Sequence, residues 1–427
     1  MDVLVVGGGG REHALVWALQ RSASVDTVYC APGNAGIARQ ATCWPIQAGD
    51  LSGLANAARQ HGVDLVVVGP EVPLAAGIAE VLEGVGIPCF GPRKPAAILE
   101  GSKAFAKAFM RRYGIPTAEF EVFTESGAAL DFARHPPWGF PLVVKADGLA
   151  AGKGVMICPD ANSAKEAVDS AMTEGSFGAA GNVVVVEQFL EGTEVTLMAL
   201  SDGRRVVPLL PSQDHKQALD GDRGANTGGM GAYAPAESVI SAATADELSE
   251  GILQATIDGM AAEGRPFAGV LYAGLMFTAE GPLVLEYNCR FGDPEAQVVL
   301  PLLREDLGEL FSGIAAGHLP DRPLRWSDRH AACVILAAEG YPGPYRRGEP
   351  ISGLETATER NDVMVFHAGT AQEAETLVTT GGRVLGVSAL GDSLSAALDA
   401  AYDAIDTIQF EGMHYRRDIG RRPGSST

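Results

Sequence analysis

Over the first hundred positions, short apolar runs alternate with stretches of helical spacing. MDVLVVG, VDTVYCAPG, VDLVVVGPE and IPCFGP read as strands, bounded by Gly and Pro. The stretches at 11–21, 51–61 and 74–85 read as the helices between them. Continuous apolar strands separated by helices predict a parallel sheet covered on both faces. Ligands of such sheets lie beyond the carboxyl ends of the strands, here at 7–12, 32–34 and 69–71.

The pattern then changes. SKAFAKAFMRRY at 102–113 reads as a helix capped by Ser102 and stopped by Gly114. FPLVVKA is a strand, DGLAAGKG a loop and VMICP a second strand, followed by a helix at 161–174 and the strand NVVVVEQFL. EVTLMALSDG and RRVVPLLP predict an antiparallel pair. Residues 212–234 lack periodicity and are rich in Gly, Asp and Asn, which predicts a long functional loop. A helix near 242–263 precedes two more strands, VLYAGLMFT and GPLVLEYNCR. The Pro- and Arg-rich segment 319–329 reads as a boundary, and the last hundred residues as another α/β unit. The tail from Arg416 has the composition of a frayed terminus. No internal repeat is present.

Composition narrows the classes. A chain of 427 residues predicts two to four domains. Lys plus Arg number 32 against 53 Asp plus Glu, a net charge of −21, which argues against a broad nucleic-acid or membrane-binding surface. No apolar run is long enough to span a bilayer, and the N-terminus lacks a basic signal region, so the chain is read as cytoplasmic. Six cysteines scatter singly through apolar segments without a CxxC pair, which predicts reduced, mostly buried thiols. Glycine is the unusual residue: 53 of them, against an ordinary share of about 7%. That excess belongs in turns or in backbone held close to something.

Three glycine clusters are candidates. Gly7-Gly8-Gly9-Gly10-Arg11-Glu12 joins a strand to a helix, a context that suits an anion at a helix N-terminus; a plain tight turn is the alternative. It fails as a dinucleotide fingerprint, because Glu12 stands where the third Gly is needed and no acidic residue ends the second strand. An NAD(P)-linked oxidoreductase is therefore the weaker reading. Asp147 to Gly154 fails as a P-loop in its spacing and joins two strands, which suits a mobile flap over phosphates with Lys153 as its cation, or else an ordinary hairpin. Gly224 to Gly231 is balanced between loop and site.

The strand LEYNCR is more specific. Glu286, Asn288 and Arg290 alternate with apolar residues and share one face if the strand persists. A carboxylate and an amide oxygen there suit Mg²⁺ bridging phosphates, with Arg290 stabilising a transferred phosphoryl group. A solvent-facing strand is the alternative. His13, His61 and His367 read as structural or surface residues.

These stretches, taken in order, resemble the phosphoribosylamine–glycine ligases, ATP-grasp enzymes of purine biosynthesis, over nearly the whole chain. The matching segments are GGREHAL at 9–15, APGNAG at 31–36, VGPEVPLAAG at 68–77, LEGSKAFAKAFM at 99–110 and KADGLAAGKGV at 145–155. They continue with SQDHK at 212–216, NTGGMGAY at 226–233 and EYNCRFGDPEAQ at 286–297, then FHAGT, GGRVL and RRDIG. SQDHK and NTGGMGAY argue against a carboxylating relative of the same pathway. Gln188 and Thr193 depart from the Glu that many members carry, and the IGRRPGSST tail lacks an aromatic residue that often follows IG.

The resemblance implies an α/β and α+β multidomain fold. A Rossmann-like preATP-grasp domain would span 1–101, an ATP-grasp domain 102–325 with a small lid subdomain near 122–192, and a C-terminal α/β domain 326–427. It implies ligation of glycine to 5-phosphoribosylamine through glycyl phosphate, with ATP and Mg²⁺ or Mn²⁺. The small molecules would be the only partners, with no nucleic acid or membrane, and the enzyme would be a monomer. Lys103, Lys145 and Lys153 would hold ATP phosphates, with Glu187 and Leu190 on adenine and Glu194 on ribose. Glu286 and Asn288 would hold the metal, Arg290 would stabilise the acyl phosphate, and Asp214 would orient amine or glycine. Phosphoribosylamine would lie near Gly9, Gly10, Arg11, Asn34 and Glu71, with Asn226, Gly228 and Gly229 contributing.

Overall fold

A computed structural model of the chain describes residues 1–149 and 154–421. Strands β1 (Asp2–Gly7), β2 (Thr27–Pro32), β3 (Thr42–Cys43), β4 (Leu65–Val68) and β5 (Cys89–Phe90) form a parallel sheet in the order β3-β2-β1-β4-β5. Their apolar runs are continuous because both faces are buried. Val3, Val5, Leu65 and Val67 enter one core, while Leu4, Val6, Val66 and Val68 enter the other. The helix expected at 74–85 is two short helices, Glu71–Ala76 and Ile78–Glu83. Gly77 breaks them apart at φ 100°, a conformation an L side chain rarely adopts.

The next sheet is antiparallel, with β6 (Phe120–Phe123), β7 (Leu142–Ala146), β8 (Val155–Cys158) and β9 (Val184–Gln188) in the order β6-β9-β7-β8. Leu142, Val144, Ala146, Val184 and Val186 face the helices Ser126–Arg134 and Ala161–Val168. Alternation therefore turns Lys145 and Glu187 to the opposite face. A second antiparallel sheet joins β10 (Thr193–Asp202) and β11 (Val206–Pro208) to two strands further along the chain.

Residues 212–234 are not the aperiodic loop their composition predicts. They contain β12 (Gln213–Asp214), a ribbon of β13 (Gln217–Leu219) and β14 (Arg223–Asn226), and β15 (Gly231–Ala234). Strands this short carry no readable period, and β15 pairs with a strand a hundred residues away. β16 (Ala268–Thr278) and β17 (Gly281–Asn288) complete the second antiparallel sheet in the order β11-β10-β16-β17. β18 (His330–Ala337), β19 (Val363–His367), the ribbon β20 (Thr370–Glu373) and β21 (Thr376–Thr379), and β22 (Arg383–Gly391) follow. The last sheet runs β12-β15-β18-β22-β19, so it takes two strands from the middle of the sequence.

β17 also differs from expectation. It ends at Asn288, and Leu285 is bulged: Gly274 pairs with Glu286 while the next residue, Leu275, pairs with Val284. Val284 and Tyr287, three apart, both enter the core. Arg290 lies past the strand end and not on its ladder.

The histidines behave as expected. His13 and His367 are buried where the helix Gly10–Leu19 meets β19, and His13 Nδ1 accepts the His367 N–H at 2.7 Å. His61 stacks on Trp44. Among the described residues no helix is long and apolar enough to cross a membrane.

Candidate active site

A cavity of about 460 Å³ opens where the three units meet. Of the residues singled out in the sequence, Arg11, Glu71, Lys103, Lys145, Asp214, Gly228, Glu286, Asn288 and Arg290 line it. Lys153 lies outside the described residues. Gly9, Gly10, Asn34, Glu187, Leu190, Glu194, Asn226 and Gly229 do not line it.

One end is cationic. The helix Lys103–Tyr113 begins where Ser102 Oγ accepts the Phe105 N–H at 3.0 Å, and Gly114 ends it at φ 68°. Asp147 docks on the same N-terminus, accepting the Ala104 N–H at 3.0 Å and the Ser102 hydroxyl at 3.1 Å. Lys103 Nζ donates to the Gly148 carbonyl at 2.8 Å. The start of the glycine-rich loop is thereby tied to the helix that presents Lys103. From β7, Lys145 reaches the Leu285 carbonyl at 3.2 Å, a group that the bulge leaves without a cross-strand partner residue.

Glu187 is placed behind Lys145. Its buried carboxylate pairs with Lys145 and, at 2.5 Å, with Lys107. Burial pushes the Lys107 ammonium down to about 8 against the opposing pull of Glu187. Lys107 was missed in the sequence, although it stands one helical turn from Lys103 on the same face. Leu190 packs in a small cluster with Ala118 and Met276.

The middle of the cavity holds coupled charges. Lys216 Nζ lies 2.9 Å from Glu194 and 3.7 Å from Glu286. Burial works to raise the Glu286 carboxyl, but Lys216, Lys145, Lys103 and Arg290 outweigh it and hold it below the ordinary range. Asp214 goes the other way. Burial, reinforced by Glu295, Glu194 and Glu286 and opposed by Lys216, pushes its carboxyl up to about 8. Glu295, also missed, accepts from the Tyr272 hydroxyl at 2.9 Å and the Thr196 hydroxyl at 3.0 Å. Arg290 Nη2 sits 2.9 Å from Glu100 and donates to Asn288 Oδ1 at 3.1 Å, while its Nε lies 3.4 Å from Glu71. Burial opposes the Arg290 cation, yet Glu100 and Glu71 hold its pKa raised.

A stability test follows for Asp214. A carboxyl whose folded pKa is raised contributes stability below its unfolded value of about 3.9, and loses it as pH climbs through about 8. Asp214→Asn does not titrate. The melting temperature of the variant minus that of the parent should therefore grow between pH 5 and pH 8. Equal differences at both pH values would reject the assignment.

At the other end, the glycine cluster serves a carboxylate of the protein. Glu12 accepts the Gly9 N–H and the Arg11 Nε–H, both at 2.6 Å, and side chains at Gly7 or Gly69 would collide with it. The N-terminal amide expected to meet an anion is thus filled from within. Gly10 leaves room for Gln297. Asn34 is a joint: its amide nitrogen donates to the Gly8 and His367 carbonyls, and its oxygen accepts the Gly36 and Ile37 N–H groups. All four of its side-chain hydrogen-bonding positions are used, which leaves none for a ligand. Asn226 is exposed opposite Gln217, and Gly229 packs on Pro294.

Among the described residues no group of three His, Cys, Asp or Glu side chains is arranged to hold a metal. Glu286 and Asn288 nevertheless fit Mg²⁺. They are hard oxygen donors on one face of β17, and this ion commonly completes its shell with water and phosphate oxygens.

Two antiparallel sheets closing on a lysine-rich cleft, with a parallel-sheet unit at its mouth, define an ATP-grasp protein. Three family profiles match in sequence: the N domain of phosphoribosylglycinamide synthetase over residues 1–100, its ATP-grasp (A) domain over 101–296 and its C domain over 331–422. A phosphoribosylamine–glycine ligase of Caldanaerobacter subterraneus is 47% identical over 419 residues, covering 98% of this chain and 99% of that one. The trifunctional purine biosynthetic protein adenosine-3 of Gallus gallus is 50% identical over 424 residues, which span 42% of that longer protein. The crystal structure of phosphoribosylamine–glycine ligase from Thermotoga maritima superposes with a TM-score of 0.86 at 34% identity, covering 98% of this chain and all of that one. Biotin carboxylase from Campylobacter jejuni, at 15% identity and a TM-score of 0.74, shares the fold alone. The chain belongs to the phosphoribosylglycinamide synthetase family.

Proposed function

We propose that this enzyme ligates glycine to 5-phosphoribosylamine, converting ATP to ADP and phosphate and forming glycinamide ribonucleotide for purine biosynthesis. The observation that carries the reading is Arg290, which stands between the lysine end of the cavity and the Arg11–Glu71 end, next to Glu286 and Asn288. Relatives bearing the ligase name over almost the whole chain support it.

The chemistry follows from glycine's carboxylate, a poor electrophile. Transfer of the γ-phosphoryl group to it gives glycyl phosphate, with ADP leaving. The amine of phosphoribosylamine attacks the acyl carbon, phosphate departs, and the nitrogen loses a proton. Lys103 and Lys145, with Lys153 from the glycine-rich loop, hold the phosphates in this reading. Glu286 and Asn288 would hold Mg²⁺ or Mn²⁺, which supplies neutralising charge to phosphate oxygens. Arg290 faces the acyl phosphate and Asp214 the attacking amine or glycine. Glu187 and Leu190 would meet adenine and Glu194 the ribose. Glu187 and Glu194 must then loosen their lysine pairs when nucleotide enters.

We divide the chain into a preATP-grasp domain (1–101), an ATP-grasp domain (102–325, lid 122–192) and a C-terminal domain (326–427), acting as a cytoplasmic monomer. A substrate panel followed by ADP release tests the reaction. Release should require glycine and phosphoribosylamine together, and no release with that pair overturns the reading.

A further inference from the structure

Three late segments, FHAGT, GGRVL and RRDIG, have no part in the chemistry above, yet one of them, GGRVL, reaches the cavity wall through Arg383, where Tyr341 joins it. Tyr341 Oη accepts the Gly228 N–H at 3.0 Å. Arg383 Nη1 donates to the Gly228 carbonyl at 2.7 Å and to the Asp293 carbonyl at 2.7 Å, and its Nη2 bonds Asp293 Oδ2 at 3.0 Å. Both backbone groups of one glycine are thus held by side chains more than a hundred residues away. The holders are packed in place. Gly382 leaves no room for a side chain beneath the Tyr341 ring, and Gly369 lies against Gly381 and the Arg383 carbonyl.

The geometry points to Tyr341 and Arg383 as positioning residues for the amine-acceptor half of the reaction, an inference that rests on the ligation proposed above. Thr227 and Gly228 line the cavity, and Arg383 ties Gly228 to Asp293, whose carboxylate borders Gly9 and Gly10. Locally this turn is anchored by Thr227, whose N–H and hydroxyl both donate to the Lys216 carbonyl at 2.8 Å. The exposed strand β14 precedes it. Gly228 itself lacks a side chain to restrain it, so the clamp sets where this wall stands. Arg383 acts by holding and not by attracting an anion, because Asp293 already neutralises its charge. A displaced wall should loosen the acceptor and leave activation of glycine intact.

The test compares Tyr341→Phe and Arg383→Gln with the parent in two assays. The first measures KM for phosphoribosylamine in the complete reaction. The second traps glycyl phosphate with hydroxylamine, a nucleophile too small to need the wall, and measures glycine hydroxamate. We expect the acceptor KM to rise about tenfold in each variant, the scale of one lost hydrogen bond. Hydroxamate formation should stay within about twofold of the parent. A parallel fall in both assays makes the residues merely structural and overturns the inference, as does an unchanged acceptor KM in both variants. A parent that releases no ADP with glycine and phosphoribosylamine defeats the ligation reading itself, before any variant is compared.

Discussion

Glu286→Ala should lower kcat by roughly two to four orders of magnitude, a loss that saturating magnesium does not restore. The carboxylate stands on β17 just beyond the Leu285 bulge, and surrounding cations hold it ionised at neutral pH. Its removal takes away a hard oxygen donor of the proposed metal site. It also leaves Lys216, Lys103 and Lys145 with one counter-charge fewer, so ATP itself should still bind. The loss therefore falls on turnover and on the metal dependence, with little change in ATP KM. ADP release titrated with Mg²⁺ checks this, and near-parental activity at saturating metal would sink the metal role. Glu286→Gln, which keeps the shape, should behave like the alanine variant.

Arg290→Ala should cost about two to three orders of magnitude in kcat and about 3–5 kcal/mol in stability. The stability loss comes from Glu100. That carboxylate is 8% exposed, and without Arg290 its remaining hydrogen-bond partner among the described residues is the Cys289 N–H at 2.7 Å. Burial already raises its pKa despite the arginine. The two effects can be separated. Arg290→Met combined with Glu100→Gln should recover most of the melting temperature, because the uncompensated charge is gone, and none of the turnover. Recovery of both would make Arg290 a structural ion-pair partner and remove it from the reaction.

Several features are legible in the sequence alone. The continuous apolar strands announced a sheet buried on both faces, and Val3 to Val6 do alternate between two cores. Ser102 and Gly114 marked the ends of the helix that presents Lys103. Glu286 and Asn288 share a face as their spacing implied. Residues 212–234 were not legible, because their strands are two to four residues long and one of them, β15, is organised by pairing with the distant β18. Nor was the use of Gly7 and Gly69, which make room for Glu12; a glycine shows that space is needed without showing what fills it. Asn34 looked like a ligand contact and is a joint between the first and last units, a role defined by carbonyls distant in sequence.

By itself, the sequence determined the local layer: strand or helix over the longer elements, caps, and the order of motifs that marks the family. These depend on side-chain periodicity and backbone preference over a few residues. Only the tertiary structure decided which charges meet. Lys107 with Glu187, Lys216 between Glu194 and Glu286, Arg290 with Glu100, and Arg383 on Gly228 join positions far apart in the chain. Ionisation inside a buried site depends on the distance between charges and on exclusion of water, and neither is written in spacing along the chain.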